Sequence, residues 1–518
     1  MLEDFAARLR RLLKGSERDT ARKWHAAAEH ARDADTHARR AAFLRKLRCE
    51  SGADRVRLGR AKTLEGAFQW CGMPQTALCA MHLGISGATG TGKSYLIAAL
   101  LFQLIMRRVP VILLDMKSEL SDLLLEVIVP AAIARGLEDL LERVRVIRPF
   151  ESGRVPLLRL TEPEPRVSLQ VQSMNIARGL SEAVGHELGP RMLRAILPLA
   201  GFAIERNLPL PMLSEWLRSP ETFARVAASS ADPILRAYAL HELPRESRSS
   251  LDSLRARLDL LLHLPEVREA LSAPRCLSFD ECLESGVTIL DFGSPPGGAE
   301  SAMKFIAGPV AGRLGRAILS REMRPDTPPA IVCFEEFQQL LGSHQVEMFK
   351  RLLALSRFKR VNLWFSNQQP AQIAEADRTL LRVLRTNLAA ECIFRSSVED
   401  ARTLSEGLST RGTDETLAQA RSRMVEDVAT LPRRSFFLWL RDSTFGPQRL
   451  QSPRLDVEAL RRSAAALSLA QRERIRLGSV SIARQAPAAA RPADAAAEPD
   501  PRLAPLRPEK RRRTPRLG

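Results

Sequence analysis

The stretch Gly87-Ala88-Thr89-Gly90-Thr91-Gly92-Lys93-Ser94 decides how this chain reads. It fits GxxxxGK[ST] in full. The apolar run Met81–Ser86 precedes it and the helical stretch Ser94–Arg108 follows. Strand, glycine loop and helix in that order make a phosphate-binding turn. The glycines let the backbone curl so that consecutive N–H groups face an anion. The helix adds the positive end of its dipole. Gly87, Ala88, Thr89, Gly90, Thr91, Gly92, Lys93 and Ser94 are therefore the expected nucleotide contacts. Lys93 is expected at the β- and γ-phosphates and Ser94 at Mg²⁺.

Outward from the loop, Val109–Asp115 (VPVILLD) is an almost unbroken branched apolar run, the pattern of a parallel strand buried on both faces. Val144–Ile147 reads as another strand. Further strands are expected at Val287–Phe292, Ala330–Phe334, Val361–Ser366, Ala389–Phe394 and Ser435–Leu440, with helical patterns between most of them. The expected class is α/β, with a parallel-rich sheet. From Val167 to Ala273 no strand pattern occurs. Apolar residues recur there at helical spacing (Met192, Ile196, Leu199, Ala203), with Pro198 placed to kink that helix. This predicts an all-α insertion. The expected divisions are a basic helical region at 1–60, a first ATPase part at 61–166, the insertion at 167–275, a second part at 276–450, a helical segment at 451–483 and a disordered basic tail at 484–518.

The chain has 518 residues, 45% hydrophobic and 27% charged, which excludes global disorder. No apolar run approaches the roughly 18 residues of a membrane span, and the N-terminus lacks the apolar block of a signal peptide. Seven dispersed cysteines form neither CxxC nor a zinc spacing, and read as reduced thiols of a cytoplasmic protein. The formal charge of +18 points to a polyanion, either nucleic acid or an acidic membrane face. Residues 1–60 hold 16 basic and 9 acidic residues, and fit a solvated helical face or a DNA contact. The tail ends in the basic cluster Lys510–Arg513.

A phosphate loop needs an acid on a neighbouring strand. Ala330–Phe334 is followed by Glu335-Glu336, so Glu335 is the expected metal ligand and Glu336 the expected general base. The strand Val361–Ser366 ends in Asn367-Gln368-Gln369, which places Gln368 where parallel sheets gather ligand contacts.

Five stretches together resemble the FtsK/HerA-like branch of P-loop ATPases, and more narrowly the type IV secretion coupling proteins of the TraG/TraD kind. They are HLGISGATGTGKS (His82–Ser94), VILLDMKSEL (Val111–Leu120), IVCFEEFQQL (Ile331–Leu340), LSRFKRVNLWFSNQQPAQI (Leu355–Ile373) and TNLAAECIFR (Thr386–Arg395). The resemblance spans roughly residues 60–450, and the helical block sits where coupling proteins carry their all-α domain.

The resemblance implies a RecA-like ATPase domain that uses ATP and Mg²⁺. It implies a homo-oligomer, a hexameric ring, that moves DNA alongside a relaxase or secretion-system membrane proteins. The expected place is the cytoplasm, peripheral to the inner membrane. It also implies an arginine acting on the neighbouring subunit's nucleotide. Arg357, eleven residues before Gln368, resembles that position, with Arg360 as the fallback. With Lys93, Glu336 and Gln368, Arg357 completes the expected catalytic set. Two departures stand out: Glu335 occupies a place where the family usually has Asp, and the membrane helices usual in coupling proteins are missing from the sequence. Two other readings stay open. One is a HerA-like translocase working with a nuclease, and the other a nucleotide-binding adaptor that recruits substrates without hydrolysis.

Overall fold

The computed structural model describes residues 41–42, 44–49, 54–63, 65–151, 158–164, 167–184, 187–293, 300–405, 416–441 and 446–478. The expectations for residues 1–40, for the tail and for Lys510–Arg513 fall outside them.

Eleven strands form one sheet: β1 (Arg55–Lys62), β2 (Phe68–Pro74), β3 (Leu83–Ser86), β4 (Val111–Asp115), β5 (Val144–Ile147), β6 (Val287–Asp291), β7 (Ala330–Glu335), β8 (Val361–Asn367), β9 (Ala390–Phe394), β10 (Ser435–Leu440) and β11 (Gln448–Gln451). Their order is β2-β1-β11-β10-β9-β3-β8-β7-β4-β6-β5. From β9 to β5 every pairing is parallel, and from β9 to β2 every pairing is antiparallel. The parallel strands are covered on both faces. Every residue of β4, β6, β7 and β8 is buried, which explains their continuous apolar sequence. This is a doubly covered α/β sheet, and its carboxyl edge is where ligands bind.

The helical expectation for residues 1–60 needs correction at its end. RVRLGRAK is β1, with Val56, Leu58 and Ala61 turned to the core. Tertiary burial of those three apolar residues overrides the helical texture of the preceding sequence.

Among the described residues from 167 to 273 all regular elements are helical. The helix Pro190–Glu205 continues through Pro198 without a break. Phe202, Trp216 and Phe223 form its aromatic centre, with ring centroids 5.1–5.6 Å apart. The two ends of this excursion are tied together. Leu158 bridges Cys276, Arg159 N–H donates to Arg275 O (3.1 Å), and the Arg159 guanidinium donates to the carbonyls of Ala273 and Asn207.

Four phenylalanines brace the turn after β7. Phe334 stacks on Phe365, and Phe337 and Phe349 meet edge to face at 4.7 Å. All four are 1% exposed or less. Between Phe334 and Phe337 lie the two glutamates expected to do the chemistry. Phe349→Ala should therefore cost about 3–5 kcal/mol of stability and lower ATP turnover in the remaining folded protein. Denaturant unfolding followed by rate measurement checks both.

Candidate nucleotide site

The glycine loop leaves β3 at the carboxyl edge. Gly87, Gly90 and Gly92 all have positive φ (150°, 74° and 115°), a region that favours glycine. At Gly87 a Cβ would lie 2.6 Å from Phe394 Cβ, so the loop can start only with glycine. Its backbone is fixed by its neighbours: Gly87 N–H donates to Asn367 O (3.3 Å) and Ala88 N–H to Arg395 O (2.8 Å). The Lys93 ammonium folds back into the loop and donates to Gly87 O (2.6 Å) and Ala88 O (3.2 Å). Burial lowers its pKa, and the nearby Glu335 and Glu336 oppose that shift.

Ser94 is the second residue of the helix Lys93–Ile105, and its hydroxyl donates to Glu335 Oε1 at 2.8 Å. The extra methylene of Glu335, relative to Asp, does not take its carboxylate out of reach of Ser94. Glu335 is 4% exposed, and burial pushes its pKa up to about 7. The Ser366 and Ser94 hydroxyls oppose the shift, while Asp115 and Glu336 add to it. Glu335 Oε2 is buried without a hydrogen bond of good geometry.

Glu336 turns the backbone into the left-handed region (φ 54°, ψ 45°), which is uncommon for a side chain of this size and typical of functional turns. It is 2% exposed. Its Oε1 accepts from Gln368 Nε2 and pairs with the Lys117 ammonium at 3.0 Å, and its Oε2 accepts from Gln338 Nε2. Gln368 Oε1 in turn accepts from the Thr89 hydroxyl at 2.8 Å. Thr89, Gln368, Glu336 and Lys117 follow β3, β8, β7 and β4, which are four consecutive strands of the sheet. One line of side-chain contacts thus crosses four strand ends.

The polar edge continues past Lys117. Asp115 accepts from Lys117 N–H (2.9 Å) and Ser121 N–H (2.8 Å). On β6, Asp291 accepts from the Ser118 hydroxyl (2.8 Å) and pairs with Arg148 (2.8 Å). Burial raises the Asp291 pKa to about 6, against the pull of Arg148.

The structure thus brings Lys93, Ser94, Glu335, Glu336 and Gln368 together. Arg357 lies elsewhere. It precedes β8, whose carboxyl end is at the site, so about 20 Å of strand separates it from its own loop at roughly 3.3 Å per residue. It is exposed, beside Phe358, which is 78% exposed. The fallback Arg360 donates to Pro325 O (3.1 Å) and Thr327 O (2.7 Å) and holds the start of β8. Two residues escape sequence reasoning. Lys117 sits in a quoted stretch, but its partner is on another strand. Arg434 donates its N–H to Thr91 O (2.8 Å) and lays its guanidinium 4.2 Å from the Tyr95 ring centre. Nothing near it in sequence marks it.

A family model for the central domain of the helicase HerA matches residues 75–294. Among solved structures, the plasmid coupling protein TrwB with a non-hydrolysable ATP analogue superposes with a TM-score of 0.52 at 16% identity, covering 80% of this chain and 92% of that one. TrwB with ADP and Mg²⁺ gives 0.51 at 15% identity, covering 80% and 92%. VirB4 of Thermoanaerobacter pseudethanolicus gives 0.53 at 13% identity, covering 79% and 99%. The fold is that of an FtsK/HerA-like P-loop ATPase, with a RecA-like core. No curated protein matches the sequence. Among the described residues of this P-loop ATPase fold, no helix is long and apolar enough to cross a membrane.

The donor set of this ATPase fold suits Mg²⁺. A hydroxyl and a buried carboxylate face each other beside the loop, and one carboxylate oxygen lacks a hydrogen-bond partner. Ser94 and Glu335 are the residues that would hold the ion.

A carboxyl with a raised pKa makes the folded protein bind more protons than the unfolded chain between about 4.5 and about 7. Its share of stability is present below that window and lost as pH rises through it. Without divalent cations, Glu335→Gln should match the native protein near pH 5 and exceed it in thermal midpoint near pH 8. Mg²⁺ with ATP should then raise the native midpoint by more than it raises the variant's.

Proposed function

We propose that this chain is an ATP-driven ring motor that translocates DNA, acting in the cytoplasm like a coupling protein of conjugative transfer or type IV secretion. The observation that carries the reading is the contact line Thr89–Gln368–Glu336–Lys117, set beside the Ser94–Glu335 pair. It couples the phosphate loop to the acid that would handle water, as a hydrolytic motor requires. The HerA central-domain match and the TrwB-like and VirB4-like fold support the same reading.

In this reading Lys93 leaves the Gly87 and Ala88 carbonyls for the β- and γ-phosphates of ATP, and the loop N–H groups hold the remaining phosphate oxygens. Bound Mg²⁺ would neutralise phosphate charge and polarise the terminal phosphoryl group. Glu336 orients the attacking water and takes its proton. To do so it must loosen at least one of its contacts to Lys117, Gln368 and Gln338. Gln368 touches both Thr89 and Glu336, so a phosphate that displaces the Thr89 hydroxyl also moves the amide on Glu336. Thr89 and Gln368 thereby report the state of the nucleotide.

Arg357 acts in trans in this reading. Its distance from its own loop rules out its own site, and the exposed Phe358 and Leu355 beside it suit a subunit contact. The charge of a guanidinium at the transferring phosphoryl group is worth about 10³-fold or more in rate.

Lys93→Ala should abolish turnover, and Glu336→Gln should bind ATP but lower its hydrolysis at least about 100-fold. Arg357→Ala should bind ATP normally and hydrolyse it poorly. Mixing Lys93→Ala with Arg357→Ala subunits should restore turnover, since some interfaces pair an intact loop with an intact arginine. No recovery at any mixing ratio, with assembly confirmed by sedimentation, removes the trans arginine. Turnover that DNA does not stimulate in assembled rings removes the motor.

A further inference from the structure

The antiparallel flank of the sheet carries a second feature, separated from β3 and its nucleotide loop by β11, β10 and β9. β1 and β2 form a hairpin whose inner face is apolar: Val56, Leu58, Ala61, Cys71 and Met73 are buried. Its outer face carries arginines and aromatic rings. In a regular strand, residues three apart point to opposite faces. Arg57 and Arg60 are three apart, yet both guanidiniums lie over the Trp70 ring, at 5.1 and 5.4 Å from its centre. The cause is a register shift between Arg57 and Gly59, a bulge that returns Arg60 to the face of Arg57. The bulge is locked by close backbone approach, because a Cβ on Gly59 would lie 2.6 Å from Gln451 O.

Arg60 also reaches Phe68, 5.5 Å from its ring centre, and Phe68 is 60% exposed. Among the described residues neither Arg57 nor Arg60 has an ion pair. The face adjoins a cleft of about 510 Å³ whose lining includes Trp70, Phe102, Arg107, Arg135 and Arg454. Arg135 lies over Phe102 at 5.5 Å. The carboxylate in that lining, Asp456, is engaged in capping the helix Val457–Ala464 through Ala459 N–H (2.9 Å).

We infer that this bulged hairpin face and its cleft bind single-stranded nucleic acid, an inference that rests on the DNA reading above and names the surface that holds the strand. The arginines meet phosphates. The rings decide for a single strand over a duplex: a stacked duplex offers phosphates but no free base face, whereas an unpaired base stacks on Phe68 or on a guanidinium plane. The bulge serves this purpose by placing two cations and two rings on one side of two strands.

The test uses the full chain and a fluorescein-labelled oligothymidylate, followed by anisotropy over a salt series. Arg57→Gln/Arg60→Gln keeps the side-chain stems and removes two cations from a solvent face. It should weaken binding about tenfold or more and reduce the slope of log K against log salt by about 1.4. Its ATP turnover without DNA and its thermal midpoint should be unchanged. Phe68→Ser should weaken oligothymidylate about fivefold or more and leave an abasic strand unaffected. If the native protein binds the strand and both variants bind it equally well, this surface is not the site, while the motor reading stands. If polyglutamate displaces the strand at equal charge concentration, the face is an acidic-protein dock and the inference fails. If the native protein binds no strand at any salt, this inference and the DNA reading both fall.

Discussion

Parallel strands end together, and that constraint governs the rest of the molecule. Seven neighbouring strands run the same way, so each βα turn on that side of the sheet emerges at one edge. With neighbours about 4.8 Å apart, four turns distant in sequence are brought within one nucleotide's length. Thr89, Gln368, Glu336 and Lys117 touch in the order of their strands because the sheet admits no other order. The same geometry crowds carboxylates. Asp115, Asp291, Glu335 and Glu336 all sit at buried strand ends, and each is held by a hydroxyl, an N–H group or a cation. Glu335 is the one left with an oxygen unsatisfied, and so the one most changed by an arriving cation.

Rigidity and readiness to move are divided between the parts of this edge. The phenylalanine cluster beneath Glu336 fixes where the acid pair emerges, and the left-handed turn fixes its direction. Above it, the contacts to Lys117, Gln368 and Gln338 are side chain to side chain and can exchange without disturbing the backbone. Lys93 resting on its own loop carbonyls is a similar case, an ammonium with a local partner that a phosphate can replace.

The parallel half of the fold was legible because strands covered on both faces must be apolar throughout, as VILLD and AIVCF are. The loop and acid pair were legible because the chemistry restricts residue types within a few positions. On the antiparallel flank only β10, the apolar run SFFLWL, was legible, and β1, β2 and β11 were not. In β1 the bulge interrupts alternation, so RVRLGRAK merges with the basic region before it. β2 contains both Gly72 and Pro74, and β11 has four residues. Lys117 and Arg434 could not be assigned from local pattern either. Their partners, Glu336 and Thr91, lie hundreds of residues away, and only the sheet order joins them.

The strand order also has a consequence for synthesis. β3, β4 and β5 are the first parallel strands to leave the ribosome, and no two of them are neighbours in the sheet. β4 pairs only with β6 and β7, and β5 only with β6, both made after the helical excursion. From the completion of β4 at Asp115 to the start of β6 at Val287, at about 5–20 residues per second, roughly 10–30 s pass. During that interval VILLD has no strand to pair with. The helical block is closed at its neck by Leu158 and Cys276 in the meantime, but Glu164 and Gly179 still await Arg316 and Pro309 of the helix Glu300–Ser320. The nascent chain therefore carries a sticky, unmatched segment behind a helical block still waiting for the helix Glu300–Ser320, and so depends on whatever shields apolar strands during translation.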